Sequence, residues 1–114
     1  MEDSQRAEQL EIEPETLRER QEDGSAGTLV DIRRPREREI VALEDDYWIP
    51  MREVGQKLEE LRDAPRPLVI YCHSGVRSLR VASMLQDEGF EDVYSLAGGI
   101  DAWAVKIDPS LDRY

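Results

Sequence analysis

Cysteine and histidine are almost absent from this sequence, which has one of each, Cys72 and His73. A single cysteine cannot form an internal disulfide, and the two residues together cannot supply the four ligands of a structural zinc site. We therefore expect no metal site and assign no cofactor. A lone cysteine is in general a small buried apolar residue, so a chemical role for Cys72 has to be argued from its surroundings.

Long apolar runs are also missing. Hydrophobic residues make up 39% of the 114 residues, and no run approaches the roughly 20 apolar residues of a membrane-spanning helix. The first nine residues are acidic and polar, unlike a secretory signal. We expect a single domain, with the cytoplasm as the simplest compartment.

Basic residues are outnumbered by acidic ones, 15 against 26, which gives a net charge of -11. Such a surface repels phosphate backbones and anionic membranes, so neither nucleic acid nor membrane is an expected partner. Solubility is the simplest reason for the charge. A high-salt habitat and a basic partner remain open.

Apolar and charged residues alternate along the chain in a pattern typical of strands and helices in turn. Residues 1–8 are expected to form a flexible tail. Strands are predicted near residues 10–12, 28–32, 47–49, 68–71 and 93–96. Helices are predicted near residues 14–22 and 51–62, between Ser74-Gly75 and Gly89, and after Gly98-Gly99 through Trp103. Residues 33–46 are highly charged and resist assignment.

The central predicted strands are almost wholly apolar, as in Leu68-Val69-Ile70-Tyr71. Strands of this kind, alternating with helices, favour an α/β fold with a central parallel β-sheet and helices on both faces. Sites in such sheets lie at the carboxyl ends of the strands. Cys72 directly follows a predicted strand and therefore lies at such an end.

The segment after this strand is a short loop that runs into a helix: Cys72, His73, Ser74, Gly75, Val76 and Arg77. Backbone N–H groups of such a loop can point inward and bind an anion, and the helix N-terminus adds partial positive charge. Gly75 permits a left-handed backbone, and Arg77 adds a full positive charge. All these features favour a thiolate at Cys72 over a thiol. The same loop would stabilise a persulfide, which is also an anion.

The chain resembles the rhodanese family of sulfurtransferases in four motifs that occur in order. The loop from Cys72 to Arg77 is similar to the family's six-residue active-site loop. Leu29 to Arg33, with Pro35 and Glu37, resembles its first signature, Ile49-Pro50 its following Ile-Pro, and Leu96 to Trp103 its closing signature. The ending Ile107 to Ser110 resembles rhodanese domains fused to adenylating enzymes, which supply sulfur to carrier proteins in thiamine and molybdopterin synthesis.

This resemblance implies a rhodanese-like domain over residues 9–114, with Cys72 as the catalytic nucleophile. It implies a substrate-binding loop of His73, Ser74, Gly75, Val76 and Arg77, and structural support from Asp31, Arg33, Gly99 and Trp103. Arg77 binds the anion or orders the loop, and His73 contributes shape and an N–H rather than acid–base chemistry. We expect Arg33 to pair with Glu37.

Two regions depart from the family pattern or stay open. Residues 40–49 replace the family's usual His-Ile-Pro-Gly-Ala segment, so neither their conformation nor their role is predicted. Trp48 either lines the pocket or packs. The charged run 33–38 is expected to be a solvated face, with a docking site for an acidic sulfur carrier as the alternative.

The expected activity is transfer of a sulfane sulfur from thiosulfate or a persulfide donor, through a Cys72 persulfide, to a thiol, cyanide or a sulfur-carrier protein. One alternative is an inactive binding or regulatory module of the same fold. Another is a cysteine phosphatase, whose loop has five residues between cysteine and arginine. Here four residues separate Cys72 from Arg77, which suits a single sulfur better than a phosphate.

Overall fold

In the computed structural model, residues 9–114 can be described. The flexible tail predicted for residues 1–8 lies outside the described residues. The strands are β1 (Glu11–Ile12), β2 (Thr28–Asp31), β3 (Tyr47–Trp48), β4 (Leu68–Tyr71) and β5 (Val93–Leu96). The helices are α1 (Pro14–Asp23), α2 (Pro35–Ile40), a 3₁₀ helix (Met51–Gln56), α3 (Leu58–Asp63), α4 (Val76–Asp87) and α5 (Gly99–Lys106).

The five strands form one sheet in the order β1-β5-β4-β2-β3, and every neighbouring pair is parallel. All carboxyl ends of the strands therefore meet at one edge. β4 lies at the centre and its four residues are buried, which confirms the parallel α/β sheet expected from its apolar sequence.

Side chains alternate between the two faces of each strand, because the side-chain period of a strand is two residues. Leu68, Ile70 and Cys72 pack in one core with residues of the 3₁₀ helix, α3 and α4. Val69 and Tyr71 pack in a second core with Leu17 of α1 and with α5. The sheet is therefore covered by helices on both faces, and Cys72 belongs to the α4 face.

Residues 51–63 do not form the continuous amphipathic helix expected for 51–62. A 3₁₀ helix ends at Gln56 and α3 begins at Leu58. Val54 and Leu61 are both buried, as their spacing predicted. Glycine at position 55 disfavours a continuous α-helix by roughly 1 kcal/mol relative to alanine, and two short helices still bury the same apolar residues.

The charged run 33–38 is not a single solvated face. Arg34 and Arg36 are exposed, but Arg33 is fully buried and Arg38 is about a quarter exposed. Both buried or partly buried guanidinium groups bind the carboxylate of Asp31. A buried cation requires such a partner, so the acid at the end of β2 draws two of the arginines inward.

No helix among residues 9–114 is long and apolar enough to span a membrane.

Candidate active site

Cys72 directly follows β4, at the carboxyl edge of the sheet, and its side chain is 1% exposed. The Sγ atom accepts hydrogen bonds from the backbone N–H groups of Gly75, at 3.1 Å, and Ser78, at 3.4 Å. Both donors belong to the turn where the loop enters α4, so the partial positive charge of that helix N-terminus also faces the sulfur. Two N–H donors and a helix N-terminus thus face the sulfur.

Gly75 makes the tight turn before α4. Its φ is +96°, a backbone conformation that side chains rarely adopt. A Cβ at this position would stand 3.1 Å from the backbone nitrogen of Gly98. Glycine therefore allows the loop to lie against the closing motif while its own N–H points to the sulfur.

The N-terminus of α5 supports the loop from the other side. The N–H of Ile100 donates to the carbonyl of Cys72 at 2.9 Å, and the N–H of Asp101 donates to the carbonyl of His73 at 3.1 Å. These bonds turn two loop carbonyls away from the sulfur and toward α5. The two carbonyl oxygens, which would repel a negative charge, therefore point away from the sulfur.

Gly99 was expected to be a structural residue. It lies at a close contact between the start of α5 and the backbone of the loop. Its φ is +64°, and a Cβ there would stand 2.3 Å from the carbonyl oxygen of His73. Trp103 is 4% exposed and packs in the core on the α5 face. Gly99 therefore lies directly against the backbone of the loop, whereas Trp103 packs in the core.

The guanidinium of Arg77 is hydrogen-bonded to Glu37 rather than to Cys72. Its two terminal nitrogens donate to the two carboxylate oxygens of Glu37, at 2.7 and 2.8 Å. These bonds raise the pKa of Arg77, and the charge of the nearby Cys72 adds a smaller contribution. Arg77 thus fastens the end of the loop to α2 while its positive charge stays near the sulfur.

Glu37 in turn is held by three donors. The guanidinium of Arg77, the hydroxyl of Tyr114 and the N–H of Arg34 lower the pKa of its carboxyl to about 2, against the effect of burial. The Tyr114 hydroxyl donates at 2.6 Å. Glu37 is therefore a carboxylate at any physiological pH, and it balances the charge of Arg77.

Tyr114 also covers the loop. Its ring stacks on the imidazole of His73, with centroids 4.0 Å apart and planes 16° apart. Its hydroxyl accepts a hydrogen bond from Arg33 at 3.0 Å. Burial raises the pKa of Tyr114 to about 12, so the hydroxyl keeps its proton and can donate to Glu37. His73 is thus covered on one face by the ring of Tyr114.

Asp31 and Arg33 form a buried ion pair beneath the site. The guanidinium of Arg33 donates to both carboxylate oxygens of Asp31, at 2.9 and 3.0 Å, and both residues are fully buried. The expected pairing of Arg33 with the Glu37 side chain is wrong, because Arg33 reaches only the carbonyl of Glu37. The reason is proximity: Asp31 lies two residues away on the same buried strand end and offers both oxygens.

Residues 40–49 extend this ionic cluster. Asp46 binds Arg38 at 2.7 Å and accepts a hydrogen bond from the Tyr71 hydroxyl at 2.6 Å. The indole of Trp48 donates to the carbonyl of Arg33 at 2.9 Å, and its ring is 37% exposed. This segment therefore anchors α2, which carries Glu37, to the sheet.

The remaining loop residues face outward. Ser74 is exposed, and Val76 is 60% exposed. Among residues 9–114, no three His, Cys, Asp or Glu side chains are grouped as a metal ion would require. The structure therefore brings together Cys72, Gly75 and Arg77, backed by Gly99, while Ser74 and Val76 form the outer side of the loop.

Two buried serines, one bonded to the sulfur and the other bonded to the first, were not among the predicted site residues. Ser78 and Ser95 are fully buried, and the Ser78 Oγ lies 3.3 Å from Cys72 Sγ. Ser95 was predicted only as part of the strand near residues 93–96. Its polar side chain in an otherwise apolar strand was the available signal, since a buried hydroxyl needs a partner.

Comparison with known proteins identifies the family. The model of the rhodanese-like domain family matches residues 13–106. A sulfurtransferase of Allochromatium vinosum is 38% identical over 82% of this chain and 87% of its own length. The thiosulfate sulfurtransferase GlpE of Vibrio cholerae is 33% identical over 66% of this chain and 70% of its own length.

Longer relatives contain a region similar to this chain. A probable adenylyltransferase/sulfurtransferase, MoeZ of Mycobacterium tuberculosis, is 35% identical over 90% of this chain, which spans 26% of that protein. This match agrees with the expected likeness to domains of adenylating enzymes. The chain spans 30% of the length of another relative.

Solved structures show the same architecture. A rhodanese-related protein of Thermoplasma volcanium superposes with a TM-score of 0.74 at 26% identity, over 85% of this chain and 92% of that one. The motifs, the family match and the fold agree, and the chain belongs to the rhodanese-like domain family.

Proposed function

We propose that this protein is a sulfurtransferase that carries a sulfane sulfur as a persulfide on Cys72. The observation that carries the proposal is the hydrogen bonding of Cys72 Sγ by the N–H groups of Gly75 and Ser78 at the start of α4. Hydrogen bonds to a charged acceptor are worth roughly 1.5–3 kcal/mol each. They stabilise a thiolate before transfer.

The reaction has two half-reactions. The Cys72 thiolate attacks the outer sulfur of thiosulfate or of a persulfide donor, a new S–S bond forms, and sulfite or a thiolate leaves with the electron pair of the broken bond. A thiol, cyanide or a sulfur-carrier protein then attacks the bound sulfur, and the electron pair returns to Cys72. This is covalent catalysis with a ping-pong order.

The backbone of the loop supports an anionic donor. The N–H groups of Gly75 and Ser78 point to the sulfur, whereas the charge of Arg77 is balanced by Glu37. The name of the Vibrio cholerae relative includes thiosulfate, a small dianion that suits this environment. The relatives' names also motivate a protein acceptor, since one of them combines an adenylyltransferase with a sulfurtransferase.

The loop length argues against a phosphatase. Four residues separate Cys72 from Arg77, and both terminal nitrogens of the Arg77 guanidinium donate to the carboxylate of Glu37. A phosphate ester needs a cationic fork for its oxygens, and this fork is already occupied by a carboxylate. We therefore assign sulfur transfer rather than phosphate hydrolysis.

The test is formation of thiocyanate from thiosulfate and cyanide, with the concentrations of both varied. We expect parallel lines in double-reciprocal plots, as a ping-pong route requires, and no product from Cys72→Ser, which cannot form a persulfide. Aryl phosphate should not be hydrolysed. Thiocyanate formation by Cys72→Ser at the wild-type rate, or efficient phosphate hydrolysis, would contradict the proposal, and the absence of turnover with thiosulfate and persulfide donors would favour an inactive binding module.

A further inference from the structure

Two buried hydroxyl groups form a chain behind the reactive sulfur. Ser78 Oγ lies 3.3 Å from Cys72 Sγ and 2.7 Å from Ser95 Oγ. Both serines are fully buried. Ser78 lies in the first turn of α4. Ser95 lies two residues after Val93 on β5 and thus on the same face of the sheet as Cys72.

This chain of hydroxyls can serve both charge states of the sulfur. A hydroxyl donates one hydrogen bond and can accept others, whereas the backbone N–H groups on Sγ can only donate. When Cys72 is a thiol, its S–H donates to Ser78, and Ser78 donates to Ser95. When Cys72 is a thiolate, Ser95 can donate to Ser78, and the Ser78 O–H is free to rotate toward the sulfur.

Packing alone does not account for these two side chains. Their neighbours on this face are apolar, and alanine would fill nearly the same volume without a polar atom to satisfy. A buried hydroxyl without a partner costs about 1–3 kcal/mol. Among residues 9–114, the two hydroxyl groups meet that requirement by binding each other and the sulfur.

We propose that Ser78 is a further catalytic residue, which donates its hydroxyl to Cys72 Sγ as the sulfur leaves, and that Ser95 is the positioning residue that orients Ser78. This inference rests on the proposed sulfur transfer. In the second half-reaction the acceptor attacks the outer sulfur, a bond from the acceptor to that sulfur forms, and the Sγ–S bond breaks. The electron pair moves to Sγ, where the Ser78 O–H meets the developing charge, and no proton is transferred.

The two half-reactions should therefore depend on Ser78 differently. Negative charge leaves Sγ when the donor is attacked, so the hydroxyl gives no help to that transition state. Negative charge appears on Sγ when the persulfide is discharged, so the hydroxyl lowers that barrier. Loss of one hydrogen bond to a charged atom corresponds to about a tenfold slower discharge.

The experiment measures the two half-reactions separately in Ser78→Ala, Ser95→Ala and the wild type. Loading by thiosulfate is followed by intact mass, and the purified persulfide form is then mixed with excess cyanide while thiocyanate is recorded. Both half-reactions are measured at pH 9, above the pKa of about 8.5 of a free thiol. Ser25→Ala is the matched control, because Ser25 is exposed and bonds Asp23 in the turn that follows α1, far from Cys72 in the fold.

We expect Ser78→Ala to slow discharge about tenfold and to change loading by less than about threefold. Ser95→Ala should show the same asymmetry to a smaller degree, and Ser25→Ala no change. The double variant Ser78→Ala/Ser95→Ala leaves no orphaned hydroxyl, so it provides a folded protein for the same measurement if a single variant is unstable. It should match Ser78→Ala in discharge.

The outcomes separate the two proposals. Equal slowing of loading and discharge, or an unchanged discharge rate in Ser78→Ala and the double variant, overturns the role of Ser78 and leaves sulfur transfer intact. Failure of the wild type to gain sulfur from thiosulfate or a persulfide donor overturns the proposed function and, with it, the role of Ser78. Slow discharge with normal loading supports both.

Discussion

Glu37 binds the guanidinium of Arg77 through both of its carboxylate oxygens, at 2.7 and 2.8 Å, across 40 residues of sequence. Arg77 ends the loop that begins at Cys72, and Glu37 lies on α2 at the same edge of the sheet. The pair joins the loop to an element that carries no apolar anchor of its own, since none of the six residues of α2 is buried.

Arg77→Lys should loosen the loop. Lysine cannot span two carboxylate oxygens with a planar fork, so one charge-assisted hydrogen bond is lost, at a cost of about 1–2 kcal/mol. We expect a lower thermal midpoint and about tenfold slower loading of sulfur from thiosulfate. Arg80→Lys, at an exposed position of α4, is the control and should change neither. Wild-type stability and loading in Arg77→Lys would show that the pair does not order the loop.

The Glu37 carboxylate should make stability depend on pH in a defined range. Its pKa is lowered from 4.5 to about 2, first by Arg77 and also by Tyr114. A lowered pKa means that its contribution to stability is complete above pH 4.5 and is lost as the pH falls toward 2. The free energy of unfolding of the wild type minus that of Glu37→Gln should therefore be constant above about pH 5 and shrink below pH 4.5. Urea unfolding at a series of pH values measures it, and a difference that stays constant down to pH 2 would contradict the assignment.

Gly99→Ala should damage the site more than its backbone angle alone explains. Gly24 and Gly99 both have left-handed backbones, with φ of +83° and +64°. A Cβ at Gly24 meets no atom within 4 Å, whereas one at Gly99 would stand 2.3 Å from the carbonyl oxygen of His73. We expect Gly24→Ala to cost about 1 kcal/mol with full activity.

Gly99→Ala should cost at least about 2 kcal/mol more than Gly24→Ala, because the loop carbonyls must shift as well. It should also lower sulfur transfer in the fraction that remains folded. Thermal unfolding and thiocyanate formation measure the two effects. Equal costs for the two substitutions would mean that the contact between Gly99 and the loop is not tight.

Lengthening the loop tests its fit to a single sulfur. One glycine inserted between Ser74 and Gly75 would move the Gly75 N–H, now 3.1 Å from Sγ, out of hydrogen-bonding range. A displacement of about 1 Å in an active site costs on the order of a hundredfold in rate. We expect thiocyanate formation to fall by about that factor. Unchanged sulfur transfer would show that the loop length is not decisive.

The sequence predicted the sheet well because apolar strands and their spacing report burial directly. β4 and β5 lie where their apolar runs were, and Gly24 and Gly89 lie at the helix ends as expected. α2 could not be predicted, because its sequence carries no sign of burial. It buries none of its residues, so it has no apolar periodicity, and it is held by ionic contacts such as that of Glu37 with Arg77.

The candidate site was predictable only where it is continuous in sequence. The loop from Cys72 to Arg77 could be identified directly. Tyr114 and Glu37 could not be connected, because 77 residues separate two groups that meet at the site. Ser95 reaches Ser78 across 17 residues, and only the sheet order places them side by side.

The mass of the intact protein after incubation with thiosulfate tests the central claim most directly. The wild type should gain the mass of one sulfur atom, the gain should map to the peptide that contains Cys72, and cyanide should remove it. Cys72→Ser should gain nothing under the same conditions. A wild-type protein that stays at its original mass with thiosulfate and with a persulfide donor, or a gain that persists in Cys72→Ser, would contradict the account.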